Sequence, residues 1–352
     1  MPRCTHPLAL ATLALATTAQ AQPAPAPSVT LYGVLDLAVY QKQLAGEARN
    51  RQVISGGMTT SYWGLRGSEE LGGGLRALFD ISGFLRADTG ETGRSGADSF
   101  WGRMAWVGLQ DASLGTLRAG RQTSAAFINT IRYNPFGDSA SFSPTFLHVY
   151  LASATQPTMT GSGASDSAWN NVVSYTTPGW GGFAATLALA PSEAGPAGRR
   201  AALSGAYTAG PFSAGLALEK IDRMALSFSK PPAVLPMSER RSVNAGASYD
   251  LGPATLYGQF VRTRLDNAST RITLQTTQLG AAVPVGDGRV LASWARTSQE
   301  QTALADTTRQ TVALGYDHFL SKRTDLYAVL LADRLTGRDS GTGLALGMRH
   351  RF

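Results

Sequence analysis

The sequence predicts an all-β protein: a sixteen-stranded antiparallel transmembrane β-barrel with short turns at one end and long loops at the other. Three observations carry that expectation. Helical periodicity is nearly absent, while period-two alternation runs along the whole chain. Tight Gly/Pro/Asp turns alternate with longer polar connections. No apolar stretch beyond the N-terminal leader approaches the ~18 residues of a membrane helix, and the longest, "LYAVLLA" (326–332), lies between Asp325 and Asp333.

Residues 1–21 read as a cleaved signal peptide. Arg3 supplies the positive n-region, Leu8 to Ala16 the apolar h-region, and Ala19-Gln20-Ala21 the cleavage site. Residues 22–27 form a short extended N-terminus, and 28–352 the barrel. Cleavage leaves 331 of 352 residues, and the loss of Arg3 lowers the formal charge from +7 to +6. The only cysteine, Cys4, leaves with the leader, so no disulfide or cysteine-based metal site is expected. Cys4 precedes the apolar run, which is not a lipidation position. Thirty-nine glycines and 16% charged residues are unlike a helical enzyme. A basic balance would suit nucleic acid, but an exported chain does not meet it, so the basic groups need another use.

The strands follow in order. "SVTLYGVLDLAVYQK" puts Val29, Leu31, Leu35, Leu37 and Val39 on one face, with Thr30, Tyr32 and Asp36 on the other. "FAATLALAP" repeats this with Phe183, Ala185, Leu187 and Leu189, and "FSAGLALEKID" with Phe212, Ala214, Leu216 and Leu218 opposite Ser213, Gly215, Ala217 and Glu219. Segments of about 9–12 residues suit tilted membrane strands. Short turns fall at 69–74, 111–115, 178–182, 209–211, 250–253, 284–288 and 320–323. Longer connections fall near 42–56, 87–98, 124–168, 191–198, 223–239, 265–271, 300–307 and 335–341. Seven short turns alternating with eight long ones require sixteen strands with both termini at the short-turn end, and closure leaves no unpaired edge in lipid. A soluble periplasmic sandwich would also alternate, but its outer face would carry charge. Here the charges sit mostly opposite the leucines or in loops. In the tail "GTGLALGMRHRF", Leu344, Leu346, Met348 and Phe352 then face lipid, Arg349 and Arg351 face the lumen, and His350 lies at headgroup level.

Several segments resemble the general porins of Gram-negative β-proteobacteria, the neisserial and Bordetella/Comamonas type. These are "SVTLYGVLDLAVY", "WGLRGSEELGGGLRALFDI" (63–81), "RMAWVGLQDASLGTLRAGRQ" (103–122), "YDHFLSKRTDLYAVL" (316–330) and the terminal "GMRHRF". The second is the most specific. The stretch 191–310 fits by pattern more than by motif. The resemblance implies an outer-membrane homotrimer, a channel for small hydrophilic solutes and ions, and a third loop folded into the lumen. Phe352 would close the sheet and, with the last strand, address the outer-membrane assembly machinery.

The longest connection, about 124–168, carries Phe127, Ile128, Ile131, Tyr133, Phe136, Phe142, Phe146 and Tyr150, too apolar for a loop in water. "NPFGD" resembles the tip of the inward-folded loop, so Asn134, Pro135, Phe136 and Gly137 are expected in the constriction loop. A porin's eyelet screens solutes by diameter and wall charge. If Trp63 and Leu65 face lipid, Tyr62, Gly64 and Arg66 face the lumen. If Met104 and Trp106 face lipid, Arg103 faces the lumen. Arg121 matches a family position, although its parity requires a bulge. Arg132 and Asp138, with Asp166 and His148, are the charged or titratable groups of the loop itself. Arg76, Asp80, Asp36 and Glu219 are expected to line the lumen at other heights. The chain departs from its relatives at Ser61-Tyr62, where a serine-arginine pair is common, and at Ala168-Trp169, ahead of the sixth strand. Two expected wall arginines are missing. A weakly charged, aromatic eyelet with a mild anion preference follows, since a net positive lumen raises local anion concentration.

Two other functions compete. A substrate-specific channel would use the aromatic loop to bind one solute class. An outer-membrane barrel enzyme would need a histidine beside a nucleophile or carboxylate. The mature chain offers only His148, His318 and His350, in no triad pattern, and no metal-ligand spacing. Neither cofactor nor metal is expected. The expected partners are solutes, ions, outer-membrane lipid and further copies of the chain, not nucleic acid.

Overall fold

The computed structural model describes residues 28–151, 158–160, 167–192, 198–229, 232–302 and 305–352. The leader, residues 22–27 and Asp166 lie outside them. The first strand, β1, is Ser28–Lys42. The second, β2, runs in two segments, Asn50–Ser55 and Tyr62–Gly72, both paired to β1. Then follow β3 (Leu75–Arg86), β4 (Met104–Asp111), β5 (Gly115–Thr123), β6 (Ala168–Thr176), β7 (Phe183–Ala190) and β8 (Arg200–Ala209). The second half comprises β9 (Phe212–Ser229), β10 (Pro232–Asp250), β11 (Thr255–Asp266) and β12 (Arg271–Val285). It ends with β13 (Gly288–Gln301), β14 (Thr307–Phe319), β15 (Thr324–Leu335) and β16 (Gly341–Arg351). Each pairs antiparallel with the next, and β16 returns to β1 in the register Val34↔Arg351 to Lys42↔Gly343. The sheet is a closed barrel of sixteen strands.

Closure ends on the last residue. Gly33 N donates to Phe352 O at 3.0 Å, Phe352 N donates to Gly33 O at 3.1 Å, and the Phe352 ring covers Gly33, where a side chain would collide with it. The outward parity is what a bilayer demands. Leu31, Val39, Leu279 and Leu346 are 56, 65, 58 and 60% exposed, a row of large apolar groups that water would not tolerate. Exposed aromatic groups ring the short-turn end at Tyr207, Phe212, Tyr249, Phe319 and Phe352. Near the other end Trp63, Phe100 and Trp101 pack edge to face at 4.7–6.2 Å. Such girdles mark the two interfaces of outer-membrane barrels.

All seven short turns fall where the sequence places them. Two long connections do not, one being 42–56, where Asn50–Ser55 pairs with β1 as the first segment of β2. The expected loop near 223–239 is instead a continuation of the β9–β10 hairpin, paired out to Ser229↔Pro232. Arg223 takes φ +47° as the ladder continues past Asp222. Thr158–Thr160 of the long connection adds a third strand along Ala225–Ser227. Pro236 is tolerated because β11 ends at Asp266, opposite Glu239, so no neighbour asks for its missing N–H on that side.

Candidate functional site: the channel constriction

The stretch 124–151 of the long connection folds into the barrel. Its first helix, α1 (Ala125–Arg132), starts at Ser124, whose hydroxyl accepts from Phe127 N at 3.3 Å. Its second, α2 (Pro144–Val149), starts at Ser143, with Pro144 in the first turn, where a missing N–H costs nothing. The helices carry the aromatic residues the sequence singled out, and the inner wall receives them where it lacks side chains. A Cβ at Gly215 or Gly246 would meet the Tyr133 ring within 2.8 and 2.5 Å, one at Gly280 would meet Pro135 at 2.7 Å, and one at Gly315 would meet Phe136 at 3.2 Å. Phe136, Phe142 and Leu147 join Leu291, Ala313, Tyr327, Val329 and Leu331 in one buried cluster. This accounts for the apolar run 326–332: one parity faces lipid, the other faces the loop.

Buried polar groups fix the loop in place. Asn129 Nδ2 donates to Asn244 Oδ1 at 2.8 Å, and Asn244 Nδ2 donates to Ala126 O at 3.0 Å. Glu219 accepts from Ala126 N at 2.9 Å and pairs with Arg240 at 3.1 Å. At the other root Arg309 pairs with Asp333 at 3.0 Å and donates to Leu147 O at 3.2 Å. His148 bonds Thr297 and Thr311 at 2.8 and 2.7 Å. Its burial, with the Arg309 charge added, holds the imidazole well below the usual histidine range. Asp36 accepts from the backbone N–H groups of Gly57, Met58 and Thr59 at 2.8–3.0 Å, pinning the break in β2. That break holds the loop tip: Ser139 donates to Gly57 O at 2.6 Å and Ser141 to Gly56 O at 3.1 Å. Asp36 and Glu219, expected as lumen-lining charges, are buried anchors of the loop instead.

The open passage runs along the inner faces of β2–β8. Arg103 lies flat on Tyr62, 3.8 Å from guanidinium carbon to ring centroid, and donates to Ser82 Oγ at 3.2 Å. Arg66 lies 4.9 Å over Tyr32, whose hydroxyl donates to both oxygens of Asp80 at 2.7 and 2.8 Å. Tyr32 and Tyr62 meet edge on at 6.0 Å. Asp138 stands on the loop side, where Thr59 Oγ1 donates to it at 3.1 Å. Burial raises its carboxyl above the usual carboxylate range, while the Thr59 bond and the charges of Arg103 and Arg349 oppose that rise. At the short-turn end three guanidinium groups, Arg289, Arg349 and Arg351, share two carboxylates, Asp317 and Asp325, at 2.6–3.3 Å.

The expected eyelet residues thus divide. Tyr62, Arg66, Arg103 and Asp138 come together. Arg103 gets there by a different route from the one the parity argument gave: β4 starts at Met104, and Arg103 lies before it on irregular chain. Met104 and Trp106 do not face lipid; they pair with Ser82 and Asp80 and point inward, and Val107 and Leu109 carry the outer face. Gly108 and Gln110, on the parity of Trp106, were the signal. Arg121 faces outward with Ala105, across the bulge between Gly120 and Gln122, and donates to Gly102 O and Asn170. It does not line the eyelet. Arg132 lies apart, donating to Thr208 of β8 at 3.3 Å. Asn134 staples the tip by accepting from Phe136 N at 2.9 Å, Pro135 and Phe136 wedge into the wall, and Gly137 supplies φ +52° for the turn. Arg118 and Trp106, stacked at 4.5 Å on the open wall, escaped the sequence reading.

Residues 8–338 match the family model described as Gram-negative porin. The chain is 33% identical to outer membrane porin protein 32 of Delftia acidovorans, over 92% of this chain and 94% of that one. An outer membrane porin protein of Bordetella pertussis is 26% identical over the same shares. Among solved structures, the anion-selective porin from Comamonas acidovorans superposes with a TM-score of 0.76 at 29% identity, over 93% of this chain and all of that one. With a closed sixteen-strand barrel, an apolar outer face and an inward-folded loop already established, these similarities show that the chain belongs to the Gram-negative porin family.

Proposed function

We propose that the passage between the 124–167 loop and the inner faces of β2–β8 is the constriction of a water-filled channel for passive diffusion of small hydrophilic solutes and ions, with a mild anion preference. A member of this family resides in the Gram-negative outer membrane and is a channel, not an enzyme. The observation that carries the constriction is the uneven charge across it. Arg66 and Arg103 rest on tyrosines on the wall, and Asp138, a carboxyl with raised proton affinity, stands opposite. Arg66 and the N–H groups of Arg103 not bonded to Ser82 can meet a passing anion, and the positive wall raises its local concentration. The relative from Comamonas acidovorans, described as anion-selective, has the same sign of preference. The homotrimer, removal of residues 1–21 and recognition of the Phe352-terminated strand by the assembly machinery belong to the same proposal.

Reversal potentials in a salt gradient across planar bilayers test it. The wild-type potential takes the anion sign. Arg103→Ala lowers the anion-to-cation permeability ratio about fivefold, the Boltzmann factor of ~1 kcal/mol for one charge in a wet passage. Cation selectivity in the wild type, or an unchanged ratio in the variant, contradicts the assignment.

A further inference from the structure

Beside α1, along the inner faces of β4–β8, lies a cleft of about 290 Å³. Its charged end is Arg118, flat over Trp106 at 4.5 Å. No side-chain hydrogen bond or ion pair of Arg118 occurs among the described residues, its Nε is buried without a partner, and Asp80 is the acidic group that acts on it. Its apolar end is Ile128, on the lumen side of α1 yet 48% exposed, with Met104 beside it. The polar rim is the hydroxyl pair Thr176–Thr186 at 2.9 Å.

We propose that this cleft is a binding site for small organic anions with an apolar ring, aryl carboxylates of which benzoate is the simplest. It rests on the channel reading and adds a substrate class to it. A guanidinium held over an indole leaves terminal N–H groups at its rim, which a carboxylate can take bidentately. An isoleucine bare to an aqueous passage gains by being covered, and the indole edge supplies the second apolar wall for a ring. Acetate can use only the charge, and an arylamine cation meets the arginine as a like charge. The site therefore discriminates through two features at once.

Block of single-channel chloride current by benzoate, with acetate as the comparison, tests this on the purified full barrel, each variant being scored against its own open current. Wild-type current falls saturably with benzoate and not with acetate at equal concentration. Trp106→Leu, and separately the loop variant Ile128→Ser, each raise the half-blocking benzoate concentration about fivefold, the scale of one stacking contact. Equal block by acetate, no saturable block by benzoate, or unchanged half-blocking concentrations in both variants overturns the site. A barrel that inserts but passes no chloride overturns the channel reading instead.

Discussion

Along β9–β15 the inward positions include Ile221, Leu265, Ile272, Leu291 and Val329, all almost wholly buried. Along β2–β5 they include Tyr62, Arg66, Trp106 and Arg118, which are not buried. Both halves present leucines and valines outward, as lipid requires, so the outer face cannot distinguish them. The difference lies in what covers the inner face. The β9–β15 wall carries the loop, which makes a second hydrophobic core inside the barrel, so its inward positions are buried and many are apolar, as in strands covered on both faces. The β2–β5 wall faces water and keeps its cations on aromatic platforms. Porosity is thus confined to part of the circumference, and the loop decides which part.

The covered half should break where its buried charges lose their partners. Arg309→Leu leaves Asp333 unpaired beneath α2, and a loss of about 3–5 kcal/mol is expected in denaturant unfolding of the detergent-solubilised barrel. A loss below ~1 kcal/mol would mean that water reaches the pair. A smaller, local break comes from the glycine row. Gly246→Val drives a side chain into the Tyr133 ring, at a cost of about 1–3 kcal/mol. Its single-channel current should be larger and noisier than that of the wild type as the loop is displaced. The smallest expected effect is on pH. His148 is held neutral in the docked loop and titrates near ~6.5 when released, so the docking stability it contributes is full above that value and declines as pH falls below it. Current noise should rise between about pH 6.5 and 5 in the wild type, and less in His148→Gln; identical profiles would remove His148 from the docking energy.

The comparison also explains what the sequence made legible. Strand number, the seven turns and the lipid face were readable because each depends on local chemistry: parity, glycine and proline. The inward fold of 124–151 was readable from its aromatic content. The assignment of Asp36 and Glu219 was not, because a carboxylate facing inward looks the same in sequence whether water or a loop lies above it. Parity failed around Arg103, where the chain before β4 is irregular, with Gly108 and Gln110 on the parity of Trp106 as the corrective signal, and the family position at Arg121 did not carry over, because that side chain faces outward with Ala119. The region 223–239 reads as a polar loop, yet its described residues pair as a hairpin, with Pro236 beyond the end of β11. Pro135 and Phe136, expected in the constriction loop, anchor its tip against the wall and leave Asp138 to meet the passage.

Because the only cysteine is Cys4, ahead of every described residue, introduced thiols report cleanly on the two walls. The most direct measurement is modification of Arg66→Cys and Ala313→Cys by a charged, membrane-impermeant thiol reagent while single-channel current is recorded. Ala313 lies beneath the loop at 1% exposure, and Arg66 borders the passage. The division of the lumen predicts rapid modification of Arg66→Cys with a stepwise fall in current, and none of Ala313→Cys over the same time. Equal modification of both, or modification of Ala313→Cys alone, would contradict it.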